Sequence, residues 1–386
     1  MTENVPEARA TIASLQAVRF FAALLVALDH VRLDGSELAA KLGLPFAFPI
    51  FSGRLGVEIF FLISGFIMVH ITTGENGWRT RPGRFLRERA IRIVPGYWLA
   101  TLTVVLIVAA ARLHAAGEAP SWSAIRLLTS FLFLPHIDPP FGLRVPILNQ
   151  GWTLNYEMFF YLLFAVALAF PRRRGLIFLV TAFVALAACG QLISWTVGDA
   201  AAPSAGAPLV LAVLRFWMEP IILLFLAGAV FGVVRQHVSA KWGLPRCRHA
   251  IPISFLLIAL YSCFGIAFGD AGALRLPVAI IVVGLCCMTA EPPEAGFSRA
   301  ALVRAGDASY SLYLFHSHVF LLLAAIWRRT ALSQVSLEVF PFLALAAAVC
   351  VSLAMHRLFE KPVSKLLRRL TGPRPRPDEV QFAARW

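Results

Sequence analysis

Two ionisable side chains, Arg19 and His30, lie in an apolar segment that is long enough to cross a lipid bilayer. In a helix, a separation of eleven positions corresponds to about three full turns and a rise of about 16 Å, so both side chains face the same way at different depths. An ionisable group at membrane depth is costly unless it lines a polar cavity, and it therefore indicates a functional site. The simpler alternative is that Arg19 extends to one membrane surface and His30 to the other.

Two carboxylates in other apolar segments, Glu58 and Glu157, fall at a depth comparable with that of His30 if successive segments alternate in direction. A carboxylate beside an imidazole fixes the imidazole's tautomer and suits it to act as a general base. The pattern therefore predicts a catalytic group made of His30, Glu58 and Glu157. The alternative is that the carboxylates bond only to buried backbone or hydroxyl groups.

A second basic cluster contains Arg89 and Arg92, which share one face if this stretch is helical. Guanidinium groups bind phosphate through two parallel hydrogen bonds. Together with Arg19, these side chains are predicted to bind a phosphate-bearing cofactor or co-substrate. The alternative is that Arg89 and Arg92 only add to the positive charge found at the cytoplasmic ends of membrane helices.

Candidates for substrate binding lie in two further apolar segments. Trp152 and Asn155 open the segment that contains Glu157, and aromatic side chains in that position either stack on sugar rings or form an interfacial belt. Tyr313 and His316 are three residues apart on a polar stripe, although His316 is equally consistent with a hydrogen-bonded packing residue. Ser64 and Gly65 favour close helix packing rather than a nucleophilic serine.

The bulk composition predicts an all-α, polytopic membrane bundle. The 386 residues are 59% hydrophobic and 15% charged, with a mean hydropathy of +0.74, whereas soluble domains carry about 25% charged residues. The net charge of +14 lies in short connections between apolar segments, which argues against a nucleic-acid partner. The six cysteines show no metal-ligand spacing, so no metal site is predicted. About ten membrane spans are expected, over residues 12–31, 55–73, 93–112, 152–170, 175–196, 209–234, 250–268, 273–290, 309–327 and 338–358.

Most Lys and Arg residues fall in the connections on the side that also holds both ends of the chain, which predicts cytoplasmic termini. The membrane domain is predicted to cover residues 12–362. It follows a cytoplasmic tail at 1–11 and precedes a basic, partly disordered tail at 363–386. Within the longest connection, residues 122–134 are predicted to form an interfacial helix.

These motifs together resemble the acyltransferase 3 family, the integral-membrane O-acyltransferases of bacterial surface and exported polysaccharides. The sequence Asn155-Tyr156-Glu157 is most similar to that of the family members associated with exopolysaccharide production. The motifs that carry the resemblance follow one another in family order: Arg19 with His30, the Gly-Val-Glu-Ile-Phe-Phe-Leu-Ile-Ser-Gly-Phe run from Gly56, Arg89 to Trp98, Trp152 to Tyr161, Ser309 to His316, and Phe359 to Pro362.

The resemblance implies an enzyme of the bacterial inner membrane with acetyl-CoA as donor and a sugar hydroxyl of an exported or lipid-linked polysaccharide as acceptor. It implies that His30 is catalytic and that Arg19, Arg89 and Arg92 are functionally important. Glu58 stands where many members carry Asp, so the carboxylate is kept. Two alternatives are a transporter or flippase of lipid-linked sugars and a scaffold without activity. The oligomeric state does not follow from the sequence.

Overall fold

The computed structural model describes residues 12–49, 51–74, 77–116, 122–137, 143–197, 209–245, 247, 249–268, 272–290, 297–330 and 336–372. These residues are almost entirely helical. Two short antiparallel hairpins pair β1 (Thr73–Gly74) with β2 (Gly77–Trp78) and β3 (His136–Ile137) with β4 (Leu143–Arg144). The helices are α1 (Ala13–Leu42), α2 (Gly53–Thr72), α3 (Pro82–Ala116), α4 (Ala124–Phe131), α5 (Gly151–Leu168), α6 (Arg172–Val197), α7 (Leu209–Phe216), α8 (Leu223–Trp242), α9 (Ala250–Phe268), α10 (Gly272–Met288), α11 (Phe297–Asp307), α12 (Ser309–Arg329), α13 (Phe340–Met355) and α14 (Lys361–Thr371).

Eight helical segments in the described part of the chain are long and apolar enough to cross a membrane. The shorter apolar helices α9 and α10 lie where two further spans are predicted. The all-α membrane bundle is therefore confirmed, whereas the count of ten spans and the cytoplasmic position of both ends stay predictions. The N-terminal tail at 1–11 and residues 373–386 lie outside the described residues.

Three helix boundaries differ from the predicted spans. Helix α1 continues beyond residue 31 to Leu42 and ends at Gly43, whose φ of 66° is the left-handed conformation that terminates many helices. Helix α3 begins at Pro82 rather than at residue 93, because proline is well placed in a first turn and the following Arg, Leu and Glu residues favour helix. The predicted span 209–234 is interrupted between α7 and α8, because Pro220 cannot donate a helical hydrogen bond.

Helix α2 lies at the centre of the core and packs against α1, α5, α8 and α10. A Cβ atom added at Gly65 would overlap the Phe225 carbonyl oxygen on α8, and one added at Gly228 would overlap the Leu62 carbonyl oxygen on α2. These glycines let the two backbones approach closely, as small residues do in membrane helix pairs. The predicted packing role of Gly65 is therefore confirmed.

The predicted interfacial segment at 122–134 contains the short helix α4. Tyr97 on α3 donates a hydrogen bond from its hydroxyl to the Ser130 carbonyl at 3.0 Å, and Trp98 donates from its indole nitrogen to the Phe131 carbonyl at 2.9 Å. These bonds fix α4 against α3 and, with it, the segment that leads into α5.

Candidate active site

Helices α1, α2, α3, α5 and α12 line a partly open cavity with about 830 Å³ of empty space, part of which is continuous with the exterior. Along α2 the lining runs from Val57 to Met68, which corresponds to about 16 Å along the helix axis. The lining residues are Arg19, Val57, Phe60, Phe61, Ile63, Ser64, Ile67, Met68, Arg89, Arg92, Ile93, Thr153, Leu154, Glu157, Tyr161, Tyr310 and Tyr313.

Arg89 and Arg92 lie in the N-terminal part of α3 and line one end of this cavity. Their three-residue spacing predicts that they share one face of the helix. Arg89 is buried, and its guanidinium carbon lies 5.9 Å from the centre of the Phe85 ring and 6.0 Å from that of Tyr161. The Nε atom of Arg89 has no hydrogen-bond partner. Two aromatic rings therefore hold a buried cation whose hydrogen-bonding capacity is not fully used.

Arg19 reaches the same cavity from α1. Its Nη1 atom donates a hydrogen bond to Oε1 of Gln16 at 2.9 Å, and Nε2 of Gln16 donates to Oδ1 of Asp307 at 3.0 Å. Gln16 and Asp307 thereby fix the Arg19 side chain toward the interior of the bundle. The alternative in which Arg19 extends to the membrane surface does not fit this geometry.

Glu157 lines the middle of the cavity, where its Oε1 atom accepts hydrogen bonds from the hydroxyls of Ser64, at 3.0 Å, and Tyr161. Tyr161 is also one of the two rings against Arg89. The Glu157 carboxylate interacts electrostatically with Arg19 and Arg89 and reduces the repulsion between the guanidinium groups.

Phe60 and Tyr313, whose ring centres are 5.6 Å apart, line the cavity at the end away from the arginines. The Tyr313 hydroxyl lies 2.7 Å from Oγ1 of Thr153 and donates to the Gln150 carbonyl at 3.2 Å. These bonds hold the Tyr313 ring against the N-terminal turn of α5. The predicted contribution of Tyr313 to the site is supported by its position in the lining.

His30 and His316 form a hydrogen-bonded pair beyond this end. Nδ1 of His30 lies 2.7 Å from Nε2 of His316, and the ring centres are 5.0 Å apart. His316 is fully buried, and its ring centre is 6.4 Å from that of Tyr313. Neither histidine is among the residues that line the cavity. The pair is therefore adjacent to Tyr313, which lines the cavity.

The predicted cluster of His30 with two carboxylates does not form in the described structure. Glu58 is buried and forms an ion pair with Nε of Arg275 on α10 at 2.8 Å, while its Oε2 atom has no hydrogen-bond partner. Glu157 bonds to Ser64 and Tyr161 instead. The sequence predicts a similar membrane depth for His30, Glu58 and Glu157. In the folded bundle, however, Glu58 faces α10 and His30 faces α12.

Trp152 and Asn155 lie at the start of α5, outside the cavity lining. The half-buried Trp152 ring contacts Tyr156 edge-on, with centres 6.0 Å apart. Asn155 is fully buried, and its amide lies 3.3 Å from the carbonyl oxygens of Phe133 and Gly151. Asn155 therefore joins α5 to the preceding connection, and no cavity contact supports its predicted substrate-binding role.

Sequence reasoning missed the polar groups behind the arginine end. The motif around Phe359 and Pro362 forms a π-helical turn over His356–Glu360, and such turns recur at functional sites. Oε2 of Glu360 accepts hydrogen bonds from the Ser311 hydroxyl and from Nδ1 of His356, both at 2.9 Å. The sequence motif includes Glu360, but only the fold shows that the Glu360 carboxylate contacts α12.

Among the residues that the structure describes, no group of three or more His, Cys, Asp or Glu side chains is placed to hold a metal ion. The polar groups at the cavity are three arginines, hydroxyl groups and the carboxylate of Glu157, and this net positive set suits an anionic organic ligand.

A family model described as an acyltransferase domain matches residues 12–357. The chain is 32% identical over 328 residues to the exopolysaccharide production protein ExoZ of Rhizobium meliloti, covering 82% of this chain and 90% of that relative. It is 24% identical over 390 residues to the acyltransferase MdmB of Streptomyces mycarofaciens, covering 95% and 96% of the two chains. No solved structure matches. The family match spans all five helices around the cavity, and the chain is therefore a membrane acyltransferase that belongs to the acyltransferase 3 family.

Proposed function

We propose that the protein moves an acetyl group from acetyl-CoA to a hydroxyl of an exported or lipid-linked polysaccharide in the bacterial inner membrane. The observation that carries this proposal is a single elongated cavity with three arginines at one end and a histidine pair just beyond the other. Cations suit the phosphates of coenzyme A, and a histidine is a general base for hydroxyl attack.

The length of the cavity lining along α2, with arginines at one end, supports a coenzyme A thioester as donor. With its phosphates on Arg19, Arg89 and Arg92, the narrow pantetheine arm extends along α2 between apolar side chains. The thioester then lies toward Phe60 and Tyr313. Because Tyr313 lines the cavity and packs against His316, we infer that its ring moves when donor and acceptor meet.

The reaction assigns distinct roles to the polar residues. His30 accepts the proton of the attacking hydroxyl, the hydroxyl oxygen forms a bond to the acetyl carbon, and the carbon–sulfur bond breaks to release the thiolate. Attack by His30 itself, forming an acyl-histidine first, is the other route that the same geometry serves. Glu157 balances the charge of the arginines. Glu58 has a structural role, because its ion pair with Arg275 joins α2 to α10.

The acceptor class is supported by the relative ExoZ, which is named for exopolysaccharide production. In this proposal Trp152, at the predicted outer end of α5, stacks on a sugar ring that approaches from outside. Cytoplasmic supply of the donor fits the arginines, which lie at the predicted cytoplasmic end of the bundle.

Membrane lipids are the proposed partners of α14. Leu358, Leu366 and Leu370 follow one side of this helix and the turn before it, with exposed fractions of 78%, 54% and 72%. The exposed cations Lys365 and Arg369 lie beside them. This arrangement is typical of a helix at the surface of an anionic leaflet. Slower hydrogen exchange at 361–371 in phosphatidylglycerol vesicles than in neutral vesicles supports the assignment, and equal exchange contradicts it.

Thermal unfolding of the purified protein with two donors tests the proposed function. Acetyl-CoA is expected to raise the midpoint temperature, because a ligand that binds only the folded state stabilises it. S-acetyl-pantetheine, which lacks the nucleotide phosphates, is expected to stabilise much less at equal concentration. No stabilisation by acetyl-CoA, with stabilisation by a lipid-linked sugar instead, would favour the transporter alternative and overturn the proposal.

A further inference from the structure

The buried His316 has a hydrogen-bond partner at each ring nitrogen. Nδ1 lies 2.9 Å from the backbone carbonyl oxygen of Leu312, one turn earlier on α12, and Nε2 lies 2.7 Å from Nδ1 of His30. The ring of Phe320 packs edge-on against the other side, with centres 5.5 Å apart. His316 is therefore held in one orientation by two directional contacts in an apolar environment.

The positions of the protons follow from these contacts. A carbonyl oxygen only accepts hydrogen bonds, so Nδ1 of His316 carries a proton. A charged imidazole buried against aromatic rings is costly, which favours the neutral form, with a lone pair at Nε2. That lone pair accepts a hydrogen bond from Nδ1 of His30. A neutral His30 then has its own lone pair at Nε2.

We propose that His316 is a positioning residue that fixes His30 in the tautomer protonated at Nδ1, so that Nε2 of His30 is the reacting atom. This inference rests on the proposed function of His30 and adds which nitrogen reacts and what orients it. The hydroxyl proton moves to Nε2 as the new carbon–oxygen bond forms, and the departing thiolate then takes that proton. In the acyl-histidine route the same Nε2 lone pair attacks the acetyl carbon and the carbon–sulfur bond breaks to release the thiolate; the sugar hydroxyl then attacks that carbon, the bond to Nε2 breaks, and the thiolate takes the hydroxyl proton.

An imidazole in this place differs from the carboxylate that the sequence predicted. A carboxylate would both orient His30 and stabilise its positive charge, whereas a neutral imidazole mainly orients it. At metal-bound histidines, loss of an orienting partner typically lowers activity 10–100-fold, and we expect an effect of this order for His30. The contribution of His316 is therefore expected in kcat rather than in the KM for the donor, since His316 is outside the cavity lining.

Two substitutions separate orientation from packing. His316→Ala removes the acceptor for the Nδ1 proton, and we expect kcat to fall by about 10–100-fold with an unchanged donor KM. His316→Gln places an amide oxygen near the former Nε2 position and is expected to restore kcat to within about tenfold of the parent protein. The matched control is His318→Gln, two residues along α12, whose Nε2 contacts the Ala100 carbonyl at 2.9 Å. This control is expected to retain parental kinetics.

Nitrogen-15 NMR of histidine-labelled protein in lipid nanodiscs reads the tautomer directly, with the His30 signal assigned by its loss in His30→Ala. We expect Nδ1 of His30 to be protonated and Nε2 unprotonated in the parent protein. An Nε2-protonated His30 would overturn the inference, as would an unchanged kcat in folded His316→Ala. Full acetyl transfer by His30→Ala would instead refute the proposed catalytic role of His30, and absence of acetyl transfer by the parent protein would refute the proposed function, so these failures are distinguishable.

Discussion

Replacement of Arg89 by alanine tests the phosphate-binding end of the cavity. The Arg89 guanidinium is buried and held by the Phe85 and Tyr161 rings, and its Nε atom has no protein partner. One hydrogen bond to a charged group contributes about 1.5–3 kcal/mol. Since each 1.4 kcal/mol corresponds to a tenfold change, Arg89→Ala is expected to raise the KM for acetyl-CoA by about 10–150-fold. The value of kcat is expected to change little, because phosphate binding is equal in ground and transition states.

The assay measures initial rates of acetyl transfer against donor concentration for the purified variants. Arg92→Ala is expected to raise the donor KM in the same direction, and Arg89→Lys to recover only part of the loss, because an ammonium cannot form two parallel bonds. Arg81→Ala is the matched control. It removes the same charge just before α3, at an exposed position, and is expected to leave KM within about twofold.

An unchanged donor KM in both folded alanine variants would refute a phosphate site at these arginines. A fall in kcat with an unchanged KM would also contradict it, since that result would place Arg89 at the reacting atoms. Equal increases in KM for Arg81→Ala and Arg89→Ala would indicate only general attraction of an anion to a positive surface.

Three further predictions test the helix packing and the Phe60 end of the cavity. Glu58→Gln is expected to destabilise the protein by on the order of 3 kcal/mol, because it leaves the charge of Arg275 without its partner. The double variant Glu58→Gln/Arg275→Gln is expected to regain part of the lost stability, and no regain in thermal unfolding would contradict an ion-pair role. Gly228→Ala is expected to lower the midpoint temperature far more than Gly284→Ala, whose added Cβ would lie 3.5 Å from its nearest neighbour; equal shifts would contradict the close contact of α2 with α8. Phe60→Ala is expected to raise kcat/KM for butyryl-CoA relative to acetyl-CoA, whereas an unchanged ratio would argue against an acyl group at this end.

The elements that the sequence predicted best are those set by local rules. Apolar length predicted the membrane helices, and the three-residue spacing of Arg89 and Arg92 correctly placed both on one cavity face. The motif order identified the family. Helix continuity was less predictable: Pro95 lies inside α3 without ending it, whereas Pro220 separates α7 from α8. Whether a proline ends a helix depends on tertiary packing, which a linear pattern does not contain.

The partners of buried polar groups depend on how each helix is rotated about its axis. The membrane depth predicted from the sequence could not identify them. His30 and Glu58 were placed at one level, but only the packed bundle shows that His30 contacts His316 and that Glu58 contacts Arg275. The separations in sequence, 286 and 217 residues, are far beyond any periodic pattern. Gln16 was missed for a related reason, because its role is visible only through the bonds that join Arg19 to Asp307.

Mass spectrometry of surface glycans tests most directly whether His30 is required for acetyl transfer. A strain lacking the protein would be complemented with the parent chain, with His30→Ala, or with His318→Gln, each quantified in the membrane fraction. The parent and His318→Gln are expected to restore glycans heavier by one acetyl group per modified unit. His30→Ala is expected to insert at a normal level and restore none, whereas near-normal acetylation with His30→Ala would contradict the proposed mechanism.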